Sequence, residues 1–303
     1  MAGTIAAVEA ELARSSAALL SVTGASNVTG ECLPLAELAA LAHKHGARIA
    51  VDGAQLVPHR RVDIAATGLD YLAFSGHKMY APFGAGALIG RRDWLDAAPP
   101  YLAGGGAVRR VTIGATSWAD GAARHEAGTP NVVGAVALAA ACRFAASLSG
   151  DVVTAHESAL LVSLLDGLAS VGARVHRIWP DSIDRVPVVS FTLDGYPAPL
   201  VAAYLSAEHG IGVRDGKFCA HPLLARLGVP AGAVRASLGL GSQPDDVHRL
   251  IAALFRLRDV GPAWTYGDDW QPSPDTRPWP AWAGVPALVT ASRTDHGSTE
   301  PPR

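Results

Sequence analysis

Lys78 stands at the end of the apolar run Tyr71-Leu72-Ala73-Phe74, in the turn Ser75-Gly76-His77-Lys78. An ammonium beside a buried strand end must be paired or neutralised. A desolvated lysine gives up its proton more readily and then forms a Schiff base with a carbonyl. Twenty-six positions earlier, the run Arg48-Ile49-Ala50-Val51 ends in Asp52. A pyridoxal ring asks for both groups, a lysine for its aldehyde and an acid for its pyridinium nitrogen. Asp52 and Lys78 on neighbouring strand ends fit that chemistry. By spacing alone, a surface lysine and a turn-capping aspartate fit as well.

The elements that must position these groups follow from periodicity and punctuation. Residues 4–13 read as a helix with Ile5, Val8 and Leu12 on one face. Ala18-Leu19-Leu20-Ser21-Val22-Thr23 reads as a strand buried on both faces, ending in the polar loop Gly24-Ala25-Ser26-Asn27. A helix from Pro34 to His45 is closed by Gly46, Asp63 to Thr67 is a short helical turn, and Ala85 to Gly90 is a third apolar strand. This rhythm predicts an α/β fold whose sheet is parallel or mixed and covered by helices. Ligands of such sheets lie beyond the carboxyl ends of the strands, where Asn27, Asp52 and Lys78 fall.

Residues 91–130 read as loops. Helices are predicted over Val132 to Leu148 and over 152–170, then a strand at Val186-Val189-Phe191 and a helix from Ala198 to His209. A strand from Val234 to Leu240 and a helix from Pro244 to Arg258, begun by Ser242 and Asp245, complete the periodic part. The expected division is a large part over 1–150, a smaller α+β part over 151–260 and a tail over 261–303. That tail holds eight prolines and four tryptophans and is expected to be irregular and partly disordered.

Of 303 residues, 49% are hydrophobic and 17% charged, enough for a generous core. A net charge of −2 without a basic block argues against nucleic acid and anionic membranes as partners. Arg143 and other polar residues interrupt the Ala-rich segments before they reach the ~18 residues of a membrane span. No signal-peptide pattern opens the chain. Cys32, Cys142 and Cys219 are few and widely spaced, which indicates neither a disulfide framework nor a metal site and favours a reducing cytoplasm. Cys32 and Cys142 lie in apolar surroundings and read as buried fillers.

Asp52-Gly53-Ala54-Gln55 and Ser75-Gly76-His77-Lys78-Met79-Tyr80-Ala81-Pro82-Phe83-Gly84-Ala85-Gly86 together resemble the class V aminotransferases of the pyridoxal-phosphate fold type I. Within them the resemblance is to the cysteine desulfurase and selenocysteine lyase branch. Further matches follow in order: Ser26 to Gly30, Glu126 to Asn131, Arg214 to Leu223 and Arg235 to Leu238. They span residues ~15 to ~258, and several in order are far more specific than any one.

The resemblance implies a fold type I large domain, here incomplete, with a mostly parallel sheet, followed by a smaller α+β domain. It makes Lys78 the Schiff-base lysine, Asp52 the partner of the pyridinium nitrogen and Gln55 a donor to the ring hydroxyl oxygen. Ser75 and His77 bind the phosphate, and Asn27 lies near ring and substrate. Thr129 reaches the phosphate of the other subunit in a homodimer. Arg235 grips the amino-acid carboxylate, with Arg214 in support, and Cys219 takes the substrate sulfur for delivery to an acceptor protein.

Two positions depart from the branch: Phe218 replaces a histidine before Cys219, and Ala81 replaces a glycine after Lys78. They leave open another class V transamination or carbon–sulfur lysis with Cys219 idle, or a non-catalytic fragment. The family's Gly-rich phosphate loop and its ring-stacking side chain, which precede the Asn27 position, find no match before Asn27, so the chain reads as truncated at its N-terminus.

Overall fold

The computed structural model describes residues 1–182 and 184–273. The chain separates into two units, Met1–Pro262 and Ala263–Arg303. In the first, α1 (Ala2–Arg14) leads to β1 (Leu19–Thr23), α2 (Leu35–Lys44), β2 (Arg48–Asp52), α3 (Ile64–Thr67), β3 (Tyr71–Ser75) and β4 (Gly86–Gly90). The four strands form one sheet in chain order. β1, β2 and β3 run parallel, and β4 returns antiparallel to β3.

Leu35, Leu38, Ala39, Leu41 and Ala42 of α2 are buried, the stripe that a 3.6-residue period presents to a sheet. It packs with Ile49 and Val51, which alternate inward along β2. Asp63 caps α3 by accepting from the Ala66 N–H at 2.9 Å. β1 differs from expectation. Leu19, Ser21 and Thr23 are exposed while Leu20 and Val22 pack on the core, so this strand covers one face only. A run of apolar and small residues carries no alternation from which an uncovered face could be read.

The stretch expected to be loops contains α4 (Arg92–Ala97) and a short hairpin of β5 (Val108–Val111) and β6 (Thr116–Trp118). Then come α5 (Val132–Ser147), capped by the Asn131 side chain accepting from Gly134 N–H at 2.9 Å, and α6 (Gly150–Ser170). Among the described residues α6 is the one helix long and apolar enough to cross a membrane by length and composition, longer than the sequence reading allowed. Its Leu160, Leu161, Leu164 and Leu168 are buried, and mid-helix Glu157 is 1% exposed. That carboxylate takes His59 Nδ1 at 2.9 Å and Arg60 at 3.4 Å, so α6 is a core helix.

β7 (Arg174–Val175), β8 (Val188–Thr192), α7 (Ala198–His209), β9 (Arg214–Gly216), α8 (His221–Arg226), β10 (Ala233–Ser237) and α9 (Pro244–Val260) follow. The strands make an antiparallel sheet in the order β7-β8-β10-β9. The cap of α9 is Gln243, in a reciprocal box with Asp246, rather than Ser242 with Asp245. In the second unit β11 (Thr265–Tyr266) pairs with β12 (Pro272–Ser273). The rest of the expected irregular tail, from residue 274, lies outside the described residues.

Candidate active site

The carboxyl ends of β1, β2 and β3 lie side by side. Thr23 is in register with Asp52, and Asp52 with Ala73. Gly24 N–H donates to the Asp52 carbonyl at 2.7 Å, and Gly53 N–H to the Ala73 carbonyl at 2.8 Å, so the ladder runs on past the strands. Asp52 is exposed, and its Oδ1 accepts from Ala54 N–H at 2.9 Å, which orients the carboxylate on its own turn. Gln55 is half-buried in that turn.

After β3 the chain turns at once into a 3-10 turn over Gly76–Lys78. Gly76 N–H donates to the Ala85 carbonyl at 2.7 Å. A Cβ on Gly76 would come within 2.9 Å of that oxygen, so the closeness of the two strands requires glycine here. Lys78 is half-buried and His77 exposed, its ring stacked on Phe83 at 5.4 Å. Ser75 Oγ is buried and, among the described residues, without a hydrogen-bond partner. Such an orphan costs about 1–3 kcal/mol, which an anionic acceptor would recover. The turn is a ready place for an anion.

The loop after β1 crosses to the second sheet. Ser26 Oγ accepts from Val28 and Thr29 N–H, both at 3.2 Å, and Ser190 Oγ donates to the Val28 carbonyl. Arg185 donates to the Thr29 carbonyl at 2.6 and 3.2 Å. Gly30 has φ +74, and a Cβ there would meet the Val188 carbonyl at 2.4 Å. The loop carries Asn27 to Phe218 and Arg235: Asn27 Nδ2 donates to the Phe218 carbonyl at 2.8 Å, and an Arg235 NH donates to the Asn27 carbonyl at 2.8 Å.

Phe218 and Cys219 are consecutive non-glycine residues in the left-handed region, at φ 53 and 58. Each such residue costs about 1–2 kcal/mol. The Phe218 ring is 3% exposed, packed with Val28, Leu224, Val229 and Ala233. The departure seen in the sequence is thus an apolar anchor, and it leaves the Cys219 thiol exposed. The Arg235 guanidinium lies 5.3 Å from the Phe218 ring, a cation–π contact. Burial and the neighbouring Arg214, its register partner, hold the Arg235 pKa below the usual arginine value, and Cys219 acts in the opposite sense. Arg235 Nε is buried without a partner among the described residues. A half-buried cation with an unused N–H, beside a second cation, suits a carboxylate.

Tyr80 was not singled out from sequence. At φ 64, it accepts the Leu240 N–H on Oη at 3.1 Å and so ties the Lys78 turn to the loop after β10. Thr129 stands apart, exposed on the loop before α5. Cys32 is buried, and its thiol is pushed up to about 12, first by burial and then by Asp184. Cys142 is half-buried.

Residues 2–250 match the family model described as Aminotransferase class-V. A cysteine desulfurase of Dickeya dadantii (strain 3937) is 42% identical over 240 residues, 79% of this chain and 57% of that protein. Among solved structures, the cysteine desulfurase CsdA of Escherichia coli is similar with a TM-score of 0.72 and 37% identity, over 78% of this chain and 58% of that one. The apo cysteine desulfurase of Thermococcus onnurineus NA1 gives 0.78 and 31%, over 84% and 62%. The chain thus spans about three-fifths of the length of these relatives.

Proposed function

Because the chain belongs to the class V aminotransferase family, we propose that it takes part in pyridoxal-phosphate-dependent removal of sulfur from cysteine. The observation that carries this reading is the exposed Cys219 thiol held next to Arg235, a cation with an unused buried N–H. Pyridoxal 5'-phosphate is the cofactor of this family, and the residues present fit it. The unpartnered Ser75 hydroxyl calls for an acceptor of the kind a phosphate provides, with His77 two residues on in the same turn. The oriented Asp52 carboxylate suits a pyridinium nitrogen, Gln55 follows on the same turn, and half-buried Lys78 offers the amine.

When bound, the cofactor supplies an electron sink for the α-carbon of an amino acid. Arg235, supported by Arg214, binds the substrate carboxylate, and Asn27 borders the same space. The Lys78 amine would hold the cofactor, and its Nζ, when free, would serve as a base. Cys219 Sγ, as the thiolate, bonds to the substrate sulfur while the carbon–sulfur bond breaks and its electron pair stays on carbon. A proton restores alanine, and the extra sulfur remains on Cys219 until an acceptor protein takes it.

A homodimer belongs to the same proposal. Support comes from the exposure of Thr129, which the family resemblance gives to a second subunit's phosphate, and from Val132, Val133 and Val136 at 59%, 80% and 61% exposure next to it. So do a cofactor-bearing part over 1–150, a smaller part over 151–260 and a cytoplasmic location, where an exposed thiol stays reduced. The test measures sulfide and alanine released from cysteine by the cofactor-loaded protein. Cys219→Ala should abolish release and leave the cofactor's absorbance unchanged, whereas Arg235→Ala should act chiefly by raising KM. Full release by Cys219→Ala would instead assign the chain to transamination or another carbon–sulfur lysis.

A further inference from the structure

The reactive thiol is held by a residue that a reading by resemblance gives to the ring and substrate. Cys219 has few constraints of its own: it is exposed, left-handed in backbone, and follows another left-handed residue. Among the described residues, sequence-local support is slight, a turn bond from Ala220 N–H to the Lys217 carbonyl at 2.8 Å and one from Leu224 N–H to the Ala220 carbonyl at 3.0 Å. Only an over-determined surrounding keeps two such residues in place. Here the surrounding is the Phe218 ring in its apolar cluster and the bond from Asn27 Nδ2 to the Phe218 carbonyl. That bond grips the peptide group joining Phe218 to Cys219, the unit whose rotation would swing the thiol. Asn27 is itself fixed, because its carbonyl accepts from Arg235 and the loop around it is stitched by Ser26, Ser190 and Arg185.

We propose that Asn27 is a positioning residue for the Cys219 thiol, its side-chain amide locking the Phe218–Cys219 peptide while Arg235 locks Asn27. The arginine that would bind a substrate carboxylate and the loop that presents the nucleophile are thereby parts of one hydrogen-bonded chain. This role rests on the reading of Cys219 as sulfur acceptor, but its test does not use that reaction.

The test is amide hydrogen exchange followed by mass spectrometry on the full chain without cofactor or substrate, with peptides covering 214–222 and, as reference, β8. Asn27→Ala removes the donor, Asn27→Asp removes it at nearly constant shape, and Asn27→Gln keeps an amide donor. Exchange over 217–220 should speed up about tenfold in Asn27→Ala and Asn27→Asp with β8 unchanged, the size expected when a lock on a locally opening segment is lost. Asn27→Gln should return it to within about threefold of the parent. Unchanged exchange at 217–220 in the Ala and Asp variants overturns the proposal, and so does acceleration shared equally by β8, the mark of general loosening. Loss of sulfide release in Cys219→Ala with no exchange effect at Asn27 would keep the desulfurase reading and reject this one.

Discussion

The Asp52–Lys78 end of the first sheet and the Cys219 end of the second are built by opposite means. Asp52, Ser75 and Lys78 follow directly from regular strands, and their turns are held by neighbours: Ala54 N–H on Asp52, and Gly76 N–H on the Ala85 carbonyl. Cys219 sits on a left-handed loop held by residues 191 and 208 positions apart in sequence, through Asn27–Phe218 and Arg235–Asn27. At the Asp52–Lys78 end the chemistry-bearing residues themselves lie on or next to regular strands, and the nearest left-handed non-glycine residue is Tyr80. The Cys219 end instead combines strained backbone with long-range restraint, the bond from Asn27 Nδ2 to the Phe218 carbonyl holding two left-handed residues in place.

Substituting glycines tests this contrast most severely. Gly30→Ala adds a Cβ that would clash with the Val188 carbonyl at a left-handed residue, and should cost about 3 kcal/mol in urea unfolding. Gly46→Ala, equally left-handed at φ +75 but facing open space, should cost about 1 kcal/mol. Equal costs would mean that the loop of Asn27 is not held tightly against β8. Next in size is the tie between the two ends. Tyr80→Phe removes the acceptor of Leu240 N–H and should cost about 1 kcal/mol, with faster exchange confined to the 76–81 turn and residues 239–242. Exchange unchanged in both segments would show the two ends to be independent.

A last contrast is between the thiols and shows only at alkaline pH. Cys32 keeps its proton to about 12 in the folded chain, against an ordinary 9.0. The unfolded chain ionises first, so this thiol's contribution to stability is whole below pH 9 and is lost between there and pH 12. Cys32→Ala should flatten that part of the stability profile. At pH 8 iodoacetamide should label Cys219 and spare Cys32, and label on Cys32 under native conditions would contradict its burial.

Much of the Asp52–Lys78 end was legible because its signals are local. An apolar run stops, a polar turn with glycine follows, and the chemistry-bearing residue sits within three positions. Helices α2, α5, α7 and α9 were legible for the same reason. The β5–β6 hairpin was not, since two short strands of Val, Arg, Thr and Ser among glycines carry no long period. The positive φ values of Tyr80, Phe218 and Cys219 were invisible, because no residue type there demands them. Asn27 could be matched to a motif, but its partner is a backbone carbonyl, which every residue has. Phe218 looked like a missing proton donor in sequence and is an apolar anchor in space.

The loop over 26–30 also sets an order of assembly. Its partners at Arg185, Ser190, Phe218 and Arg235 lie 156, 162, 191 and 208 residues away. Contacts of such separation close the longest loops and carry the largest entropic cost, so they form after the local turns and helices. During synthesis the strand ends bearing Asp52 and Lys78 emerge long before Arg235, and the thiol loop acquires its geometry only when β10 has docked. Cys219 therefore reaches its native backbone geometry only when nearly the whole unit has folded.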